Sequence, residues 1–294
     1  MSSLVLHGCG TALVTPFFAD GSVDYEAYAA LVDRQVAAGV HFLVPLGTTG
    51  ETPTLSDGEK TAIFQLVKEH AKGLPLMPGV GTNSFTGTLA NIRLMEPLCP
   101  AALLVVVPYY NKPSQQGLYE YFKAVAAQTS LPVVIYNVPG RTGANILPDT
   151  VLRLAAEVPN IRGIKEASGN FSQVSELARR APEGFAVLGG DDDMTLAYMA
   201  AGAHGVISVA SNIAPAEVAA MAAALERDDI AAARALHQRL FPLFKACFAE
   251  SSPAPTKAAL AQLGLCGRTL RLPLVAASEP TEALMQKVLS ELWK

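Results

Sequence analysis

The chain has 294 residues, half of them hydrophobic and 16% charged. That composition buries a large core and excludes disorder as the main state. A formal net charge of −4 offers no basic excess for nucleic acid or an anionic membrane. Mean hydropathy is +0.29, yet an apolar run such as 101–108 covers only eight residues, where a spanning helix needs about 20. Residues 1–7 lack a basic region followed by an apolar stretch, so no secretory leader is expected. Cys9, Cys99, Cys247 and Cys266 are far apart and form no Cys-x-x-Cys pair. They read as reduced core thiols of a cytoplasmic protein.

Taken in chain order, short apolar segments suited to buried strands begin near Thr11, Phe42, Leu76, Ala102, Val133, Ile161, Phe185 and Val206. They recur at roughly the span of a βα unit, about 20 to 35 residues. Their runs are continuous rather than alternating, as in strands covered on both faces. Helical signals fill the gaps. Ser56-x-x-Glu59 is a capping box, followed by Ile63, Leu66 and Val67, with Gly73 beyond the end. Leu118, Tyr121, Phe122 and Val125 form a second stripe. Pro148-Asp149 opens a third helix, and Val174 and Leu177 mark a fourth before Pro182.

The pattern predicts an α/β fold, a (β/α)8 TIM barrel. After Ala214 the strand signal stops, and Ile230, Ala233, Leu236 and Leu240 keep helical spacing. A catalytic barrel over 1–224 and a small C-terminal α-helical domain over 225–294 are therefore expected. Pro253-Ala254-Pro255 reads as a rigid turn within the latter.

Barrel enzymes carry their chemistry at the C-terminal ends of the strands. Those positions hold Gly47-Thr48-Thr49-Gly50-Glu51, Tyr109-Tyr110-Asn111, Tyr136-Asn137, Pro139-Gly140-Arg141-Thr142, Lys165-Glu166 and Gly189-Gly190-Asp191-Asp192-Asp193. Lys165 ends an apolar strand. A lysine desolvated in a barrel mouth is penalised in its charged form, and a neutral amine attacks a ketone to form a Schiff base. Tyr136 suits proton transfer when a neighbouring hydroxyl shares the proton. Thr48 and Thr49, between glycines, present N–H groups and hydroxyls to a carboxylate, and Arg141 offers a fork of donors to another. Read singly, each also suits a plainer role: a surface lysine, a core aromatic, an ordinary βα turn, a solvated arginine. The run Asp191 to Asp193 reads as a helix cap rather than a metal site. The five histidines show no zinc-ligand spacing, and no phosphate-binding glycine motif occurs.

Together, in this order, these motifs resemble the dihydrodipicolinate synthase and N-acetylneuraminate lyase family, a likeness continued by Gly205-Val206-Ile207-Ser208 and running from about Gly8 to Leu272. The resemblance implies a pyruvate-dependent class I aldolase, usually a homotetramer, that needs no metal or organic cofactor. It implies that Lys165 forms the Schiff base. Tyr136 relays protons with Thr48 and with Tyr110, the latter reaching in from a neighbouring subunit. Thr49, Gly190 and Ile207 match positions that line the pyruvate pocket. Arg141 is similar to the arginine that holds the carboxylate of L-aspartate 4-semialdehyde, which favours the synthase branch and lysine (diaminopimelate) biosynthesis. Members inhibited by lysine carry histidines and an acidic residue where this chain has Asp57, Lys60 and Gly87, so weak or absent feedback is expected. Two alternatives stay open: another pyruvate-dependent aldolase of the family acting on a sugar acid, and a non-catalytic pyruvate-binding protein.

Overall fold

The structure, a computed structural model, describes residues 6–294. The reading of residues 1–5 as part of a leaderless start lies outside that range. Among the described residues seven strands run parallel: β1 (Gly8–Ala12), β2 (Phe42–Val44), β3 (Leu103–Val106), β4 (Val133–Asn137), β5 (Ile161–Glu166), β6 (Ala186–Gly189) and β7 (Gly205–Ser208). Their order is β2-β1-β7-β6-β5-β4-β3, so β2 and β3 are the two open edges.

The expected third strand fills that gap without becoming a regular one. The Leu43 N–H donates to Pro75 O (3.0 Å), and Met77 N–H donates to Leu43 O (2.9 Å). On the other side Val80 N–H donates to Leu104 O and Leu104 N–H to Pro78 O, both at 2.9 Å. Pro75 and Pro78 have no N–H, so the ladder is interrupted although the ring closes through single bridges. Close approach makes glycine necessary at Gly79, where a Cβ would lie 2.3 Å from Leu46 O. The result is the predicted TIM barrel, with seven regular strands and one irregular stave.

Strand alternation explains why the apolar runs are unbroken. Leu104, Val134, Tyr136, Leu188 and Ile207 pack with one another in a cluster inside the barrel. Their neighbours Leu103, Val105, Val133, Ile135 and Val187 join the larger cluster beneath the helices. Both faces are buried, so no polar alternation survives. Each fully buried aliphatic side chain contributes about 1.5–3 kcal/mol.

The expected helices form at Asp57–His70, Gln115–Ala126, Pro148–Glu157 and Phe171–Arg180. Ser56 and Glu59 make the reciprocal capping box. Beyond β7, helix Pro215–Glu226 packs against helix Ile230–Ala246, and helices Ala254–Gln262 and Glu279–Leu292 complete the C-terminal part. Pro253-Ala254-Pro255 is not a free turn: Pro253 is the N-cap of helix Ala254–Gln262 and Pro255 sits in its first turn, where a missing N–H costs nothing. The cysteines are free, but only Cys9 and Cys247 are in the core. Cys99 is exposed and Cys266 half-buried. Among the described residues no helix is long and apolar enough to cross a membrane.

Candidate active site

Lys165 and Tyr136 are register partners on β5 and β4, so both side chains leave the sheet on the same face. Tyr136 belongs to the barrel-interior cluster, and Lys165 Nζ lies 4.3 Å from the centre of its ring. Both side chains are almost wholly buried, at 6% and 7% exposure. A cavity of about 600 Å³ opens from the mouth of the barrel, with Thr48, Val106, Tyr136 and Arg141 on its wall. Lys165 adjoins this wall through its contact with the tyrosine ring.

Gly190 explains how the lysine fits. A Cβ there would stand 2.6 Å from the Ala167 Cβ and 2.9 Å from Lys165 Cε. The Gly190 N–H also donates to Glu166 O at 2.7 Å, tying the end of β6 to β5. Ile207 is fully buried on β7 and lines the interior with Tyr136.

Thr48-Thr49-Gly50 forms one turn of 3-10 helix directly after β2. Thr49 is buried, while Thr48 is exposed in the mouth. The turn is closed by Glu51 N–H donating to Thr48 O (3.1 Å) and Gly50 N–H donating to Gly47 O (3.0 Å). Thr15 Oγ1 holds it from below through Gly50 O at 2.8 Å. Arg141 is in the short helix Pro139–Thr142. It is exposed, and one guanidinium N–H reaches Ser252 O at 3.4 Å.

Tyr110 is the one predicted residue that the chain does not bring to this cluster. Its side chain is 87% exposed, and its backbone is left-handed at φ 74°. Bulky residues rarely adopt that conformation. Its N–H donates to Thr142 O at 3.1 Å, which fixes the Tyr110 loop to the Arg141 loop.

On the other face of the sheet, one residue beyond the lysine, lies a carboxylate network that the motifs do not signal. The Glu166 carboxylate is fully buried. It accepts from Asn137 Nδ2 (3.0 and 3.1 Å), Gln173 Nε2 (2.9 Å) and the Ser168 N–H (2.9 Å). Burial pushes its pKa up, and these donors only partly oppose that. No sequence signal pointed to Gln173, because its role depends on helix Phe171–Arg180 meeting the end of β5.

The acidic run also acts differently from expectation. Asp192 Oδ2 accepts from the N–H groups of Val209 (2.9 Å) and Ala210 (3.0 Å), so it caps the turn after β7 rather than its own helix. Asp191 accepts from the Gly169 N–H (3.1 Å), and Asp193 pairs with Lys245 (3.3 Å). Burial pushes Asp191 and Asp192 above the ordinary range.

One His/Glu cluster escaped the spacing argument: His7, His41 and Glu226 converge at the opposite rim of the barrel. His41 Nδ1 accepts the Cys9 N–H at 3.1 Å. The neutral ring then carries its proton on Nε2, which faces Glu226 and has no lone pair for a metal. The cluster reads as a hydrogen-bonded group around Glu226, with His7 bonded to the carboxylate.

The chain matches the model of the Dihydrodipicolinate synthetase family over residues 5–292. It is 48% identical over 289 residues to a 4-hydroxy-tetrahydrodipicolinate synthase of Acidobacterium capsulatum, covering 98% of this chain and 96% of that protein. A synthase of the same name from Neisseria meningitidis is 47% identical, with 97% and 98% covered. The crystal structure of a dihydrodipicolinate synthase from Thermotoga maritima superposes with a TM-score of 0.96 at 44% identity, covering 98% of both chains.

Proposed function

Because the chain belongs to the dihydrodipicolinate synthetase family, we propose that it condenses pyruvate with L-aspartate 4-semialdehyde through a Schiff base on Lys165, in lysine biosynthesis. The observation that carries this reading is the buried Lys165–Tyr136 pair at the mouth of the barrel. The Lys165 amine adds to the pyruvate carbonyl and water leaves, giving an iminium that acidifies the methyl group. Tyr136 takes a methyl proton and passes it on through Thr48 and the Tyr110 of a neighbouring subunit. The enamine carbon attacks the aldehyde, whose oxygen is protonated, while Arg141 holds the carboxylate of that substrate. The substrate amine then attacks the iminium carbon, closes the ring and releases the Lys165 amine. Thr49 and Ile207 hold pyruvate, and Gly190 leaves room for the lysine. No step calls for a metal or an organic cofactor.

The exposed, conformationally constrained Tyr110 supports a subunit contact at this loop, and the reading is completed by a homotetramer built as a dimer of dimers, in the cytoplasm. The turn at Asp228 (φ 57°) and the mutual packing of the last helices support a barrel over 1–224 and a helical domain over 225–294. Lysine feedback is weak or absent in this reading. Lys60 already bonds Asp57 Oδ1 (2.9 Å) and Asn91 Oδ1 (3.3 Å) in the groove beside the mouth. Strong inhibition by millimolar lysine would refute that point.

The test is intact-mass analysis after borohydride reduction with pyruvate. Wild type should gain one pyruvyl adduct and Lys165→Ala none. Turnover across an aldehyde panel should favour L-aspartate 4-semialdehyde over sugar aldehydes. A folded wild type without adduct would refute the covalent mechanism and leave a pyruvate-binding protein.

A further inference from the structure

Glu51 closes the threonine turn with its N–H, and its carboxylate leads away from the cavity into the C-terminal helices. That carboxylate accepts from Lys257 Nζ at 2.6 Å and from the Arg271 N–H at 3.0 Å. The Glu51 and Lys257 side chains are both wholly buried. Lys257 Nζ also donates to Thr269 O (2.8 Å) and lies 4.2 Å from the centre of the Phe17 ring. Its charge is thus met on several sides. Glu51 itself has left-handed backbone, φ 54°, a strained conformation for a side-chain-bearing residue that persists only when its surroundings enforce it. The outer part of the network is carried by another side chain, the Arg271 guanidinium, which lies 4.5 Å from the centre of the same Phe17 ring. The Arg271 side chain binds Thr54 O (2.8 Å), Gly21 O (2.8 Å) and Glu59 (2.5 Å), and Arg271 holds the Glu59 carboxyl down at about 2.

We propose that Glu51 and Lys257 are positioning residues: their buried ion pair, anchored in the C-terminal helices, sets the Thr48-Thr49 turn at the geometry that proton transfer requires. The pair touches no reacting atom and acts through the turn that Glu51 closes. This deepens the aldolase reading and rests on it. A buried ion pair is a weak source of net stability, and replacing both charges together is often neutral for the fold. The double variant therefore separates positioning from folding.

The experiment compares wild type, Glu51→Gln/Lys257→Met and Arg271→Gln as full-length proteins, with pyruvate alone for trapping and exchange and with pyruvate plus L-aspartate 4-semialdehyde for kcat and KM. Borohydride trapping reads Schiff-base formation, and NMR reads exchange of the pyruvate methyl protons with deuterated solvent. In the double variant the adduct should still form, with methyl exchange and kcat lowered about tenfold or more and the KM for pyruvate changed less than threefold. Arg271→Gln, which spares the pair, should lower Tm and leave the exchange rate within about twofold of wild type. Wild-type exchange and kcat in a folded double variant would overturn the proposal. So would an equal loss of exchange in Arg271→Gln, because general loosening of the C-terminal part would then suffice. If the double variant does not fold, Glu51→Gln alone, assayed below its Tm, must show the same split between adduct and exchange, and wild-type exchange there would refute the proposal. A wild type with neither adduct nor exchange would instead refute the aldolase reading itself.

Discussion

At one rim of the barrel, His41 and His204 stand immediately before β2 and β7 and accept the N–H groups of Cys9 and Val187, each at 3.1 Å. At the other rim, Lys165 and Tyr136 stand at strand ends and face each other, while hydrogen bonding is handled by the next residues of the same strands, Glu166 and Asn137, together with Gln173. Polar side chains at the first rim terminate the sheet. At the second, the termination is delegated to a supporting carboxylate, which leaves an amine and a phenol available to a ligand. The His/His/Glu cluster at the first rim follows the same contrast: His41 Nδ1 serves the Cys9 N–H, while His7 and the other nitrogen of His41 face the Glu226 carboxylate.

Substitutions at the two rims should therefore separate activity from stability. The largest effect is expected for Lys165→Ala, which should lose the pyruvyl adduct and at least about a hundredfold in kcat. Its thermal unfolding should remain cooperative. Gly190→Ala should follow. The added methyl meets Ala167 and the Lys165 stem, so about tenfold or more in kcat and about 1–3 kcal/mol of stability should be lost. Enzyme assays and urea titrations would measure both, and an unaltered kcat would show that the lysine tolerates displacement.

A smaller, pH-dependent effect is expected at Asp192. Burial raises its pKa in the folded state, so the fold binds the proton more tightly than the unfolded chain. The stabilisation is complete below the ordinary aspartate value, about 3.9, and is lost as pH rises through the raised folded value. Asp192→Asn keeps an acceptor for Val209 and Ala210 and should flatten this decline, read from urea midpoints at a series of pH values. Glu166 and Asp191, shifted the same way, retain theirs.

The smallest effect belongs to the opposite rim. Burial lowers the pKa of His41, against Glu226 and with His7 adding to the lowering. Its contribution to stability is therefore present above the ordinary histidine value, about 6.5, and is lost as pH falls. His41→Asn keeps an acceptor for Cys9 and should remove under about 1 kcal/mol of that acid sensitivity, with turnover unchanged. A loss of activity would break the contrast between the rims.

How much of this was legible depends on the range of each interaction. The capping box at Ser56 and Glu59 spans one helical turn, and the apolar strands record burial on both faces, so local reading found them. The residues proposed for the site are legible as candidates because a barrel puts every strand end on one rim. The stave around Leu76 has the apolar content of an ordinary strand, and only the missing donors of Pro75 and Pro78 mark it as irregular. Lys257 left a trace that could have been followed: it is the one charged residue within 254–260, a run that is buried throughout.

Sequence alone determined the barrel, the order of its strands along the chain and the identity of the rim residues, because apolar periodicity and turn chemistry act over a few residues. Only the tertiary structure decided that Asp192 caps the turn after β7, that His7 meets His41 and Glu226, and that Glu51 is held by Lys257. Each of these joins segments far apart in the chain, and the partner of a buried charge is set by where the packed elements leave it, not by its neighbours in sequence.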